Sequence, residues 1–249
     1  VVAGGSENEA QGLQSVISGG FKNIASATLS TISGGQLNAA SGSGSTVAGG
    51  VDHTAGSDHS TVSGGYNNTA TGNGSVVAGG SNNEIMGPGS NNSVISGGDS
   101  HQIGAGALNA SIGGGQSGLI GVGASYSNIS GGLNNEVQSS SLHSNISGGS
   151  SNLIVASSNH AMIGGGESNE VSGNYTAILG GYDNTANGEY AAILGGTGNT
   201  AAAQSVVVGG NQNTAHSPSS AVVGGAVNSI LPYSPFSFIG AGQNNQIGN

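Results

Sequence analysis

From Val2 to Ile239, one β-branched aliphatic residue recurs at a fixed distance ahead of a glycine pair, with small or polar residues between. Taking the first residue of each pair as origin gives sixteen copies, at Gly4, Gly19, Gly34, Gly49, Gly64, Gly79, Gly97, Gly114, Gly131, Gly148, Gly165, Gly180, Gly195, Gly209, Gly224 and Ala241. The step from origin to origin is nearly constant, as from Gly49 to Gly64 and from Gly64 to Gly79. It lengthens between Gly79 and Gly165, shortens once from Gly195 to Gly209, and lengthens again from Gly224 to Ala241. Two residues before each origin stands Val or Ile, including Val47, Val62, Val77, Ile95, Ile112, Ile129, Ile146, Ile163, Ile178 and Ile193. Four residues before it comes Ser, Ala or Thr, and six after it Ala, Ile or Val. Four after it stands Asn in thirteen copies, among them Asn38, Asn68, Asn83, Asn135, Asn152, Asn169 and Asn184; His53, His101 and Gly118 are the exceptions.

Marked positions two apart follow the side-chain period of a strand and not that of a helix. β-branched residues favour strands, and Gly-Gly breaks the extended run where the chain must bend. Each copy therefore predicts two short strands and two turns, with glycines such as Gly42, Gly72 and Gly188 supplying the second turn. Stacked copies give an all-β fold, a parallel β-roll or β-solenoid of about sixteen coils of 14–18 residues. In it the Val/Ile positions form an inward aliphatic row and the Asn positions a hydrogen-bonding ladder.

Coil length supports the inward assignment. The residue six after the origin is Ala in the first five copies, as in Ala25 and Ala70, where the coils are short. It becomes Ile or Val from Ile85 to Ile154, where the coils are longer, and Ala returns with the short coils at Ala186, Ala201 and Ala215. Val171 departs from that rule. A larger coil encloses more space, and an interior void is costly.

Composition narrows the function. Of 249 residues 51 are Gly and 5% are charged, against about 7% Gly and about 25% charged in ordinary domains. The net charge is −10 with Lys22 as the lone basic residue, so the clustered cations needed for nucleic acid are missing. With no Cys, no disulfide framework or thiolate site exists, and no apolar run is long enough to place this segment in a membrane. The chain lacks an initiator Met and opens on the end of a repeat, which suggests one repeat domain, 1–249, of a longer fibre. Residues 226–249 then form a distinct end coil with an aromatic insertion, "LPYSPFSF".

A thin coil of Val, Ser, Asn and Ala buries little apolar surface for the residues it orders. The positions one and three before the origin are nonetheless apolar late in the chain, where Leu179, Leu194, Val208 and Val223 are candidates for an interface in a homotrimer.

These residues carry a resemblance. The recurrent S-V-x-x-G-G-x-x-N-x-A-x-G is similar to the head repeat of trimeric autotransporter adhesins of the YadA type. Asn92-Ser93-Val94-Ile95-Ser96-Gly97 is close to that family's N-S-V-A-I-G signature, and Asn73 to Gly80 is a looser match. The resemblance covers the whole chain. It differs in using Gly-Gly and a longer coil than is usual in that family, so related trimeric surface or tail fibres are included. It implies a left-handed trimeric roll on a bacterial surface or phage fibre, acting as a stiff rod that binds a cell-surface glycan or an extracellular protein.

Other chemistries find little support. No G-x-x-x-x-G-K-[ST] phosphate loop exists, and the acids lack the G-G-x-G-x-D spacing of calcium-binding rolls. The six histidines show no zinc spacing, and no paired carboxylates or Ser/His/Asp set suggests catalysis. The expectation is a non-enzymatic protein without cofactors or metals. His53 and His101 read as structural replacements for ladder Asn. Ligand-binding candidates are the aromatics Tyr66, Tyr175, Tyr182, Tyr190, Tyr233 and Phe236, whose rings suit stacking on sugars or a protein partner. The last two could equally cap the end coil. The alternatives are an ice-binding solenoid, suggested locally by Thr31, Thr46 and Thr61, and a purely structural spacer.

Overall fold

The computed structural model describes residues 1–248. The chain is an all-β parallel solenoid of about sixteen turns, with no helix among the described residues. It divides into two compact units, residues 1–126 and 127–249. In both, every regular strand is two residues long, and within each unit strands pair in parallel with the equivalent strands of neighbouring coils.

In the first unit, one sheet runs from Val16–Ile17 to Ser111–Ile112 and carries the aliphatics that precede each Gly pair. The other runs from Glu9–Ala10 to Leu119–Ile120 and carries the Ala/Ile row. The second unit repeats both, from Asn128–Ile129 to Phe238–Ile239 and from Glu136–Val137 to Gln246–Ile247. A third parallel ladder of single-residue bridges follows the Gly pair. It passes through Phe21, Gln36, Val51 and Tyr66 in the first unit and Glu167, Tyr182 and Thr197 in the second.

The pairing keeps equivalent residues in register whatever the coil length. Val77 pairs with Ile95 across a long coil and with Val62 across a short one. Extra residues in long coils fall in the turn between the sheets, so within each unit the core row is uninterrupted. Ten of its members, Val47, Val62, Val77, Ile95, Ile112, Ile129, Ile146, Ile163, Ile178 and Ile193, are buried. Val2 is 45% exposed, because in this chain its turn is stacked on one side only. Val171 pairs with Ile154 and Ala186, at the step from long coils to short ones. Its intermediate size suits that taper.

The Asn ladder saturates the Gly corner. Asn68 Nδ2 donates to the carbonyls of Gly64 in its own coil and Gly80 in the next, both at 2.9 Å. Its Oδ1 accepts the backbone N–H of Asn83 at 3.0 Å. Asn38, Asn83, Asn135, Asn152, Asn169 and Asn184 donate in the same pattern. A buried amide with its partners met locks the coils together, where an unmet one would destabilise them.

The glycines divide by role. The second of each pair has positive φ, +98° at Gly65, and a Cβ there would lie 2.0 Å from the Gly80 carbonyl oxygen. At the first, Gly64, a Cβ meets nothing within 4 Å. Gly42, Gly72 and Gly188 stand in the second turn, where their carbonyls accept the N–H groups of Ser45, Ser75 and Ala191 at 3.1 Å, but they do not carry its left-handed bend. That bend lies five residues before the origin, at Gly44, Gly74 and Tyr190. Gly42, Gly72 and Gly188 are required instead by close approach: an added Cβ would lie 1.9 Å from Ser57 O, 2.1 Å from Ser90 O and 2.0 Å from Ala203 N.

Candidate functional site

Outward-facing side chains come from three places in each coil: the outer faces of the two sheets, the corner after the Gly pair, and the corner five residues ahead of it. The last of these bears the densest aromatic cluster. His143, His160, Tyr175 and Tyr190 occupy successive copies of this corner, each with positive φ. Their rings form a pile in the second unit, with centroid separations of 5.1, 4.9 and 5.3 Å and interplanar angles of 2°, 6° and 9°. Parallel pairing of the coils sets this spacing, since neighbouring strands lie about 4.8 Å apart. Sequence reasoning found the two tyrosines and missed the histidines. The signal lies in the repeat position that all four share, which metal-ligand spacing along the chain does not reveal.

The pile changes how these rings can engage a ligand. Tyr175 has His160 on one side and Tyr190 on the other, so its faces are not free for a sugar and it offers its hydroxyl edge. Tyr182 stands apart on the corner after the Gly pair, bridged to Glu167 and Thr197. Tyr66 has the same place in the first unit, bridged to Val51 and Ser81. Tyr233 is 99% exposed and Phe236 84%, so they cover little of the chain around them. Tyr233, Pro232, Ser234 and Gly248 line a shallow cavity of ≈ 370 Å³. The strands of the end coil, Ser229–Ile230 and Phe238–Ile239, pair in register with the preceding coil.

The outer face of the aliphatic sheet changes character within the second unit. Asn128 and Asn145 are hydrogen-bonded side chain to side chain at 2.8 Å early in it. Later the face is apolar, with Leu179 50% and Leu194 45% exposed and Val208 and Val223 close behind. Ala177, Ala192, Val206 and Ala221 lie half-buried beside them.

His53 and His101 lie fully inside, at the ladder position. His53 Nδ1 accepts the N–H of Asn68 at 3.0 Å and His101 Nδ1 that of Gly118 at 2.9 Å, as an Asn Oδ1 would. Nε2 of each is buried without a hydrogen-bond partner. Burial lowers both pKa values below the ordinary histidine value, against a smaller opposing pull from nearby backbone. The Gly118 exception belongs with His101: a Cβ at Gly118 would lie 2.9 Å from the imidazole Nδ1.

No group of three or more His, Cys, Asp or Glu side chains is placed to hold a metal among the described residues. No helix among them is long and apolar enough to cross a membrane. No protein-family model matches the chain, and no curated protein matches it.

Proposed function

We propose that this chain is a non-enzymatic segment of a trimeric extracellular adhesive fibre, serving as a stiff spacer that presents a repeated binding surface. The observation that carries the reading is the exposed row Leu179, Leu194, Val208 and Val223 on a sheet face without charge. Apolar side chains aligned along successive coils suit burial against further copies of the same chain, and cyclic symmetry satisfies all copies at once. The resemblance to trimeric adhesin heads supports the same assembly. Exposed tyrosines such as Tyr66 and Tyr182 and the Tyr233–Phe236 loop would then meet a glycan or protein ligand through many weak contacts, gaining by avidity.

Light scattering on the purified segment tests the assembly. A trimer is expected, and Leu194→Asp with Val208→Asp should dissociate it; a folded wild-type monomer at micromolar concentration overturns it. Glycan and matrix-protein arrays test adhesion, and an array-silent trimer would reduce the role to that of a spacer.

One observation favours a second reading, ice binding. In the first unit Thr31, Thr46 and Thr61 form an outward rank in paired strands, and in the second unit Thr185, Thr200 and Thr214 form another on the sheet that carries the Ala/Ile row. Thermal hysteresis of the segment distinguishes this reading from adhesion.

A further inference from the structure

Tyr175 and Tyr190 are adjacent in the aromatic pile, with centroids 5.3 Å apart and planes 9° from parallel. Both residues are about half exposed, at 52% and 54%. Their main chains are pinned by the same bond in successive coils: Tyr175 N–H donates to Asn159 O at 2.9 Å, and Tyr190 N–H to Asn174 O at 3.0 Å. Two phenols are thus held side by side, open to solvent, on separate turns of one chain. Tyr66 and Tyr182 differ, since both lie on the corner after the Gly pair. Tyr66 is flanked in its ladder by Val51 and Ser81, and Tyr182 by Glu167 and Thr197.

We propose that Tyr175 and Tyr190 form an oxidative cross-linking site, where a haem peroxidase using hydrogen peroxide joins two successive coils through a dityrosine bond. Each phenol loses one electron and its hydroxyl proton, giving a phenoxyl radical with spin on the carbons ortho to oxygen. The two radicals combine at ortho carbons, forming one C–C bond. The hydrogen on each joined carbon then leaves as a proton while the ring oxygen takes one up, restoring both phenols. One hydrogen peroxide accepts the two electrons and two protons and becomes two waters. The protein contributes proximity: the second radical is held beside the first, which replaces a slow encounter between molecules with an intramolecular one. The exposed rings can turn from stacked to twisted without disturbing the buried row that contains Ile178 and Ile193. The inference is independent of the adhesive reading, since it needs only the fold and an oxidant.

The test uses the full chain, dilute, with a haem peroxidase and one equivalent of hydrogen peroxide. A protease cutting after Glu cleaves at Glu170 and Glu189, so Tyr175 and Tyr190 leave on separate peptides unless covalently joined. The expected product is that peptide pair, two hydrogen atoms lighter than its parts and mapped to these two residues. Its yield should not depend on protein concentration. Tyr175→Phe and Tyr190→Phe should each lower dityrosine yield at least about tenfold, because coupling must then proceed without a held partner. Tyr182→Phe should leave the yield unchanged, and circular dichroism of all three variants should match the parent. The oxidised parent should melt at a higher temperature, and oxidised Tyr190→Phe should not. Links through Tyr66, Tyr182 or Tyr233, a His160–Tyr175 adduct, dimers that grow with concentration, or no cross-link would each overturn the proposal.

Discussion

Asn83 donates its backbone N–H to the side-chain oxygen of Asn68 at 3.0 Å, so one side chain holds the main chain of the following coil. The same Asn68 amide ties the Gly64 and Gly80 carbonyls. Asn68→Ala leaves these buried groups unmet, at about 1–3 kcal/mol for each group stranded. Thermal melts should show a clear loss for Asn68→Ala and a much smaller one for exposed Asn67→Ala.

The Gly pair predicts opposite outcomes at neighbouring residues. Gly64→Ala adds a methyl that meets nothing within 4 Å, and Ala241 already occupies the equivalent place. Gly65→Ala must hold φ near +98° with its Cβ 2.0 Å from the Gly80 oxygen. The first should change stability by less than about 1 kcal/mol, and the second should cost more than about 3 kcal/mol, the range of strained or overpacked sites. Denaturant midpoints of the two variants check this.

The buried imidazoles make stability depend on pH. Burial depresses the folded-state pKa of His53 and His101, so below the unfolded value of about 6.5 the unfolded chain binds more protons. Stability should therefore fall as pH drops from about 6.5 toward the folded pKa values. His53→Asn with His101→Asn should flatten that slope. At neutral pH the double variant should be at least as stable as the parent, since an Asn amide at these positions donates to both Gly carbonyls as Asn68 does. Melting curves from pH 7.5 to 5, for parent and variant, test both effects.

The buried serine row separates useful hydroxyls from idle ones. Ser93 Oγ donates to Ala107 O at 2.6 Å and accepts the Ala110 N–H at 3.0 Å, whereas buried Ser45 Oγ has no partner. Ser93→Ala should lose about 1–2 kcal/mol, and Ser45→Ala should be neutral or stabilising. Equilibrium unfolding distinguishes them.

Coil size and core size should be coupled. Ala70 sits buried in a short coil and Ile103 in a longer one. Ile103→Ala opens a cavity, at about 2–5 kcal/mol, and Ala70→Ile overpacks the short coil, at about 1–3 kcal/mol. If both were neutral in chemical denaturation, the coil interior would be looser than this packing implies.

Much of this architecture was legible in residue order. A β-branched residue at −2, Asn at +4 and a small or branched aliphatic at +6 can share an interior only if each copy is a rung, and the copies pair in that register. Gly42 marks the second turn as its repeat position implies, but local sequence cannot distinguish a glycine that bends from one that yields space to the next coil. The ring pile was overlooked for a related reason. His143 and His160 lie a whole coil apart along the chain but 5.1 Å apart between ring centroids, a proximity that appears only when coils are stacked.

By itself, then, the sequence determined the period, the inward rows and the strand-like alternation, because side-chain parity and β-branching act within a few residues. Tertiary structure decided which glycines face a neighbour's carbonyl, which hydroxyls find partners, and which rings meet. Those outcomes depend on the distance between successive turns, about 4.8 Å in a parallel ladder, and on corners whose left-handed φ aligns residues from different coils.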